Sequence, residues 1–174
     1  ITTLHSRLRL HGVRMPTCST PTGLTITYIR KRRITLTISN SLQTLELLAP
    51  AKNLECGQAA IDHGADAVYI GAYRFGARAS AGNSIDDIRT LCLYAHQYAA
   101  RVYVTVNTIV YDDEMQATQQ LLQQLYDIGV DAILIQDMGL LQMSLPPIAL
   151  HASTQTDNRT VDKVRWLRSL GFRR

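Results

Sequence analysis

Several apolar runs of this chain end in groups that can do chemistry: Asn107, the pair Gln136-Asp137, and the stretch His151-Ala152-Ser153-Thr154-Gln155. A further loop, after Gly71, carries Arg74 and Arg78. Imidazole, hydroxyl, carboxamide and carboxylate groups bind polar substrates and relay protons. Arg74 and Arg78 suit an anionic ligand such as phosphate or carboxylate, because guanidinium meets such groups in a two-pronged geometry. Ordinary loop charges pairing with neighbouring acids would look the same. His151 and Ser153 invite a base–nucleophile reading, but spacing opposes it. Residues i and i+2 of one strand share a face yet stand about 6.6 Å apart, beyond hydrogen-bond reach. No hydrolytic triad signature is present. His151 reads equally as a ligand contact, a satisfied core histidine or a catalyst, so no residue is assigned a catalytic role. The candidate substrate-binding set is Arg74, Arg78, Asn107, Gln136, Asp137, His151, Ser153 and Gln155, with no metal site.

Positioning such a set requires a scaffold, and the rest of the sequence supplies one. LELLAPA (45–51) reads as a first strand ended by Pro50. AVYIG (67–71), RVYVTVN (101–107), AILIQ (132–136) and IALHAS (148–153) read as four more. Between them lie amphipathic stretches with helix punctuation: caps at Asn53 and Ser84, an acidic opening at Asp112-Asp113-Glu114, and glycines at 64 and 129 for left-handed ends. A short helix over 138–145 stops at Pro146-Pro147. A last helix, 161–171, turns Val161, Val164, Trp166 or Leu167, and Leu170 inward. The strands read as continuously apolar, which suits strands covered on both faces in a parallel sheet. An internal repeat, Gly64-Ala-Asp-Ala-Val-Tyr-Ile70 against Gly129-Val-Asp-Ala-Ile-Leu-Ile135, spans two β/α units and fits a barrel better than a doubly wound open sheet. The expectation is an α/β fold: a partial parallel (β/α) barrel of about five strands, truncated before closure, since a closed barrel takes about 250 residues. In that fold function gathers at the C-terminal strand ends, where the polar residues above fall. Glu46 reads as a carboxylate inside the first strand. It requires a positive partner across the barrel or a solvated place at the strand entrance.

Composition divides the chain. It has 174 residues and a formal net charge of +4. Residues 1–44 hold seven basic residues and no acid, whereas 45–174 hold eleven basic and fourteen acidic residues. The basic character therefore sits in a leader, 1–44, expected to be unstructured or not native, and the barrel part, 45–174, is mildly acidic. The leader reads as translated upstream sequence, as an organellar transit peptide or as a nucleic-acid arm around Arg30-Lys31-Arg32-Arg33. No apolar run approaches the roughly 20 residues of a membrane span. Cys18, Cys56 and Cys92 show no metal or disulfide spacing, and Cys92 falls on a helical stripe with Ile85, Ile88, Ala95 and Ala99. A reducing cytoplasm is the default expectation.

LELLAPA, GADAVYIGAYRFGARASAGNS, YVTVNTIVYDDE, GVDAILIQDMGLL and LHASTQTDN together resemble the N-terminal half of the collagenase-like peptidase family, numbered thirty-two among peptidases of unknown catalytic type. The resemblance covers about residues 45–172. The stretch Leu145-Pro-Pro-Ile-Ala-Leu-His-Ala-Ser-Thr-Gln155 and Asn83-Ser-Ile-Asp-Asp-Ile88 are most similar to the branch that makes 5-hydroxycytidine in large-subunit ribosomal RNA. The resemblance implies an enzyme whose partner is ribosomal RNA or its precursor. Sister branches hydroxylate a transfer-RNA uridine or act in ubiquinone hydroxylation, and the family name implies proteolysis. An iron–sulfur cluster is implied for several members, held by a cysteine-rich segment downstream of residue 174. None of Cys18, Cys56 and Cys92 matches a ligand position, so the chain itself is expected to carry no cofactor. From another class, the chain reads as an inactive truncated product. Substrate and oligomeric state are not fixed by the sequence.

Overall fold

The structure, a computed structural model, describes residues 35–38, 41–72 and 82–174. Two strands, β1 (Thr35–Ile38) and β2 (Ser41–Thr44), pair antiparallel as a separate two-stranded sheet within the segment read as leader. The main sheet follows: β3 (Leu48–Ala51), β4 (Ala67–Gly71), β5 (Arg101–Val106), β6 (Ala132–Ile135) and β7 (Ala149–Ala152). These five strands are parallel and lie side by side in chain order. Helices α1 (Leu54–Asp62), α2 (Ile85–Gln97), α3 (Met115–Asp127) and α4 (Val161–Ser169) connect or follow them. Sequential parallel order without reversal is barrel order, and the sheet is not closed among the described residues.

The helices start where their capping residues allow. Asn53 accepts a hydrogen bond from the Cys56 N–H (3.0 Å) at the head of α1. Ser84 and Asp87 form a reciprocal capping box on α2. Thr160 accepts from the Lys163 N–H (3.3 Å) on α4. The acidic stretch Asp112–Glu114 is a 3-10 turn leading into α3, and Met138–Gln142 is also 3-10. The repeat acquires a structural meaning. Gly64 and Gly129 adopt φ of 102° and 85°, the left-handed turn that glycine tolerates best. Two residues on, each aspartate clamps the adjacent strand. Asp66 Oδ2 accepts from the Leu47 N–H (2.9 Å), and Asp131 Oδ2 accepts from the Val102 N–H (2.8 Å). Both units thus begin their strands in the same way at the N-terminal end of the sheet.

One face of the sheet packs on the helices. Val68, Ile70, Val102, Val104, Ile133 and Ile135 are buried with Ile61, Ile88, Leu91, Leu122 and Leu125. The other face is the inner one. It carries a smaller cluster of Ala67, Tyr103 and Ala132, with Leu48, Tyr69, Leu134 and Ala149 against it. β5 therefore alternates: its valines face the helices, while Arg101, Tyr103 and Thr105 face inward.

Some local expectations are corrected. β3 starts at Leu48, so Glu46 lies before the strand, and Pro50 sits within it opposite Tyr69. That is tolerable because β3 is an edge strand, where one row of N–H groups goes unused. Ala99 leaves the α2 stripe in a left-handed turn (φ 55°) and is exposed. On α4 only Leu167 is buried; Val161, Val164, Trp166 and Leu170 are exposed.

Candidate functional site

Register places the inner-face side chains in layers. Gly71, Thr105, Leu134 and His151 share one level. One step beyond the strand ends on the same face stand Asn107, Gln136 and Ser153. The structure joins two of these directly, since the Asn107 amide donates to Ser153 Oγ at 3.2 Å. Ser153 is buried and anchors the turn that follows β7. Its N–H donates to Ile135 O (2.9 Å), and its hydroxyl oxygen accepts from the Gln155 N–H (3.3 Å). Its carbonyl accepts from Thr156 Oγ1 (2.7 Å) and Asn158 Nδ2 (3.0 Å). Gln155 itself is exposed, on the 3-10 turn Thr154–Thr156.

Asp137 does different work. Its Oδ2 accepts from the Val110 N–H (3.0 Å) and its Oδ1 from the Gly139 N–H (2.8 Å), so both oxygens tie the loop after β5 to the turn after β6. Asn83 plays the same part nearer the start of the sheet, donating to Lys52 O (3.1 Å) and Gly71 O (3.0 Å). Arg74 and Arg78 lie outside the described residues.

His151 is buried on the inner face, its ring edge-on to Tyr103 with centroids 4.8 Å apart. Burial is the main cause that pushes its imidazole down to about 4, and Arg174, Arg101 and Arg173 add to it against the opposing pull of Glu46. The ring is therefore neutral at physiological pH. Sequence reasoning missed the neighbours that set this state. Glu46 forms ion pairs with Arg174 and with Arg101 (3.4 Å) and accepts from the Tyr103 hydroxyl (3.0 Å). The Arg174 hydrogen bond is the main cause holding its carboxyl below the usual range. The signal was present in β5, where Arg, Tyr and Thr alternate with Val. The continuous apolar reading of this strand passes over that alternation.

Among the described residues no three His, Cys, Asp or Glu side chains converge. Cys56 is exposed on α1, and the Cys92 thiol, buried against the sheet, is pushed up to about 12 and stays protonated.

A sequentially ordered parallel β/α sheet with polar groups gathered at its C-terminal mouth defines a barrel-type scaffold. The chain belongs to peptidase family U32, which residues 52–174 match. It is 53% identical over 132 residues to the 23S rRNA 5-hydroxycytidine C2501 synthase of Escherichia coli strain K12, an alignment covering 76% of this chain and 20% of that protein. It is 37% identical over 114 residues to the tRNA hydroxylation protein P1 of Bacillus subtilis strain 168, covering 63% of this chain and 27% of that one. The chain thus spans about a fifth to a quarter of these relatives. A solved U32 peptidase superposes with a TM-score of 0.60 at 12% identity, over 79% of this chain and 60% of that one, a likeness of fold. No helix among the described residues is long and apolar enough to cross a membrane.

Proposed function

We propose that this chain is the N-terminal part of an RNA-modifying enzyme that hydroxylates a cytidine of large-subunit ribosomal RNA in the cytoplasm. The observation that carries the reading is the 53% identity with the Escherichia coli rRNA cytidine synthase. The site supports it. Asn107, Ser153 and a neutral His151 are uncharged hydrogen-bonding groups, and proteins read unstacked RNA bases by hydrogen bonds to their edges. Peptide hydrolysis is less well supported, because the Ser153 hydroxyl is engaged by Asn107 and the Gln155 N–H rather than by an activating base. A transfer-RNA uridine is the second reading, favoured by the 37% identity with the Bacillus subtilis protein. In either case hydroxylation needs an oxidant, and an iron–sulfur cluster of the kind the family resemblance implies would be held by a cysteine-rich segment other than Cys56 and Cys92.

Nucleoside mass spectrometry tests the assignment. Ribosomal RNA from a strain lacking the gene should lose 5-hydroxycytidine and regain it on complementation. Retention of the nucleoside, together with peptide cleavage by the purified protein, would overturn the reading.

A further inference from the structure

His151 is mostly buried and its ring makes no hydrogen bond among the described residues, yet no buried side-chain nitrogen or oxygen there lacks a partner, so its ring nitrogens open to solvent on the inner face. Its contact is instead the edge-to-face packing on Tyr103, at an interplanar angle of 72°. Tyr103 is itself fixed at two points. Its hydroxyl donates to Glu46, and the Arg174 guanidinium lies 5.5 Å from the ring centroid. Glu46 is in turn held by Arg174 and Arg101, and Arg174 is placed by the main chain, since the Arg173 N–H donates to Leu150 O (2.9 Å). A chain of fixed contacts therefore runs from the N-terminal end of the sheet to an unpartnered ring just below Asn107 and Ser153.

We propose that Tyr103 is a positioning residue for His151, and that the imidazole it holds presents an unpaired ring nitrogen to the edge of a pyrimidine base entering the mouth. This rests on the RNA-modifying reading above. The groups facing the ring agree with it. Arg101 and Tyr103 come from β5, Glu46 from before β3, Arg173 and Arg174 from after α4, and Leu134 of β6 is apolar. Three cations against one acid, with burial, disfavour the imidazolium. A neutral imidazole offers one donor and one acceptor, and a pyrimidine edge offers the same pair. Ring packing worth about 1 kcal/mol suffices to select one rotamer.

The test follows the His151 imidazole by NMR pH titration in the full chain, with 5-hydroxycytidine measured in a deletion strain carrying the same alleles. Tyr103→Phe keeps the ring and should leave the midpoint near its wild-type value and modification largely intact. Tyr103→Leu should raise the midpoint by about one unit and lower modification about tenfold. Arg174→Gln, at a half-exposed side chain, should raise the midpoint by about half a unit. Unchanged midpoints in both Tyr103→Leu and Arg174→Gln overturn the proposal, as does a Tyr103→Phe variant as defective as Tyr103→Leu. If Tyr103→Leu unfolds, Tyr103→Phe and Arg174→Gln decide alone. Absence of 5-hydroxycytidine with the wild-type allele defeats the RNA reading, and the base contact with it, while the titrations still report on Tyr103.

Discussion

The two ends of the parallel sheet are built from different chemistry. At the N-terminal end the groups are charged and matched: Asp66 and Asp131 grip backbone N–H groups of the neighbouring strands, and Glu46 is bound by Arg101, Arg174 and Tyr103. At the C-terminal end the inner-face groups are neutral, Asn107, Ser153, Gln136 and an unprotonated His151, while the Asp137 carboxylate beside them is taken up by backbone N–H groups of the loops. Charges removed from water are tolerated only when paired, so the first end is a fastening. Neutral groups lose less when they exchange partners, so the second end can afford to meet a ligand. The same division holds in parallel barrels generally, where the N-terminal face serves stability and the C-terminal face serves catalysis.

The largest effect on stability should come from Asp131→Ala. It strips the hydrogen bond from the Val102 N–H, whose residue is fully buried, and removes the carboxylate that His96 contacts at 3.0 Å. An orphaned buried donor costs about 1–3 kcal/mol, readable by urea denaturation. Asp66→Ala should cost less, because Leu47, its partner, is exposed. Equal effects would show that the repeat is not a graded fastening and would break the comparison at its first end.

Acid should act next. His151 is held at about 4 in the fold against 6.5 ordinarily. The unfolded chain takes up this proton first as pH falls. Its contribution is therefore complete above about pH 6.5 and is lost towards about pH 4, roughly 1–3 kcal/mol in all. Glu46, held below its ordinary value, adds a further loss at lower pH in the same direction. Stability measured from pH 7 to 4.5 should fall in wild type and fall less in His151→Gln. A flat profile in wild type would mean that the fold leaves the proton affinity of the ring unchanged.

How far the sequence discloses this division depends on which residue is asked. Strand order and helix starts follow from local signals. Asn53, Ser84, Gly64 and Gly129 act within a few residues of themselves, and each appears in the structure in the role its type implies. The Gly-x-Asp repeat was visible as a pattern, but its function was not, because each aspartate grips a strand 19 or 29 residues away. Glu46 to Arg174 spans 128 residues, and no local rule pairs them. Asp137 shows the same limit, because its partners come from loops that local spacing does not bring together. A carboxylate at a strand end reads as a site residue until both oxygens are seen to hold backbone. The α4 stripe reads as apolar and inward, yet all of it but Leu167 is exposed, because packing depends on a neighbour that periodicity cannot supply.

The smallest effect on stability, and the sharpest separation of the two ends, should come from the mouth. Asn107→Ala removes the donor to Ser153 Oγ, but the serine keeps its backbone partner at Ile135 and its contacts with the turn after β7. Asn107 is only half-buried, so water can replace the amide. The stability loss should then stay below about 1 kcal/mol, within the range of a single hydrogen bond exchanged for water. Its effect on the reaction should be much larger, because a misplaced binding group can cost about a hundredfold in rate. Nucleoside mass spectrometry of ribosomal RNA beside urea denaturation of the same variant measures both quantities. A stable Asn107→Ala protein with wild-type 5-hydroxycytidine would remove Asn107 from the site. A variant that unfolds as readily as Asp131→Ala would mean that the two ends are one fastening, and that the neutral groups at the mouth serve the fold.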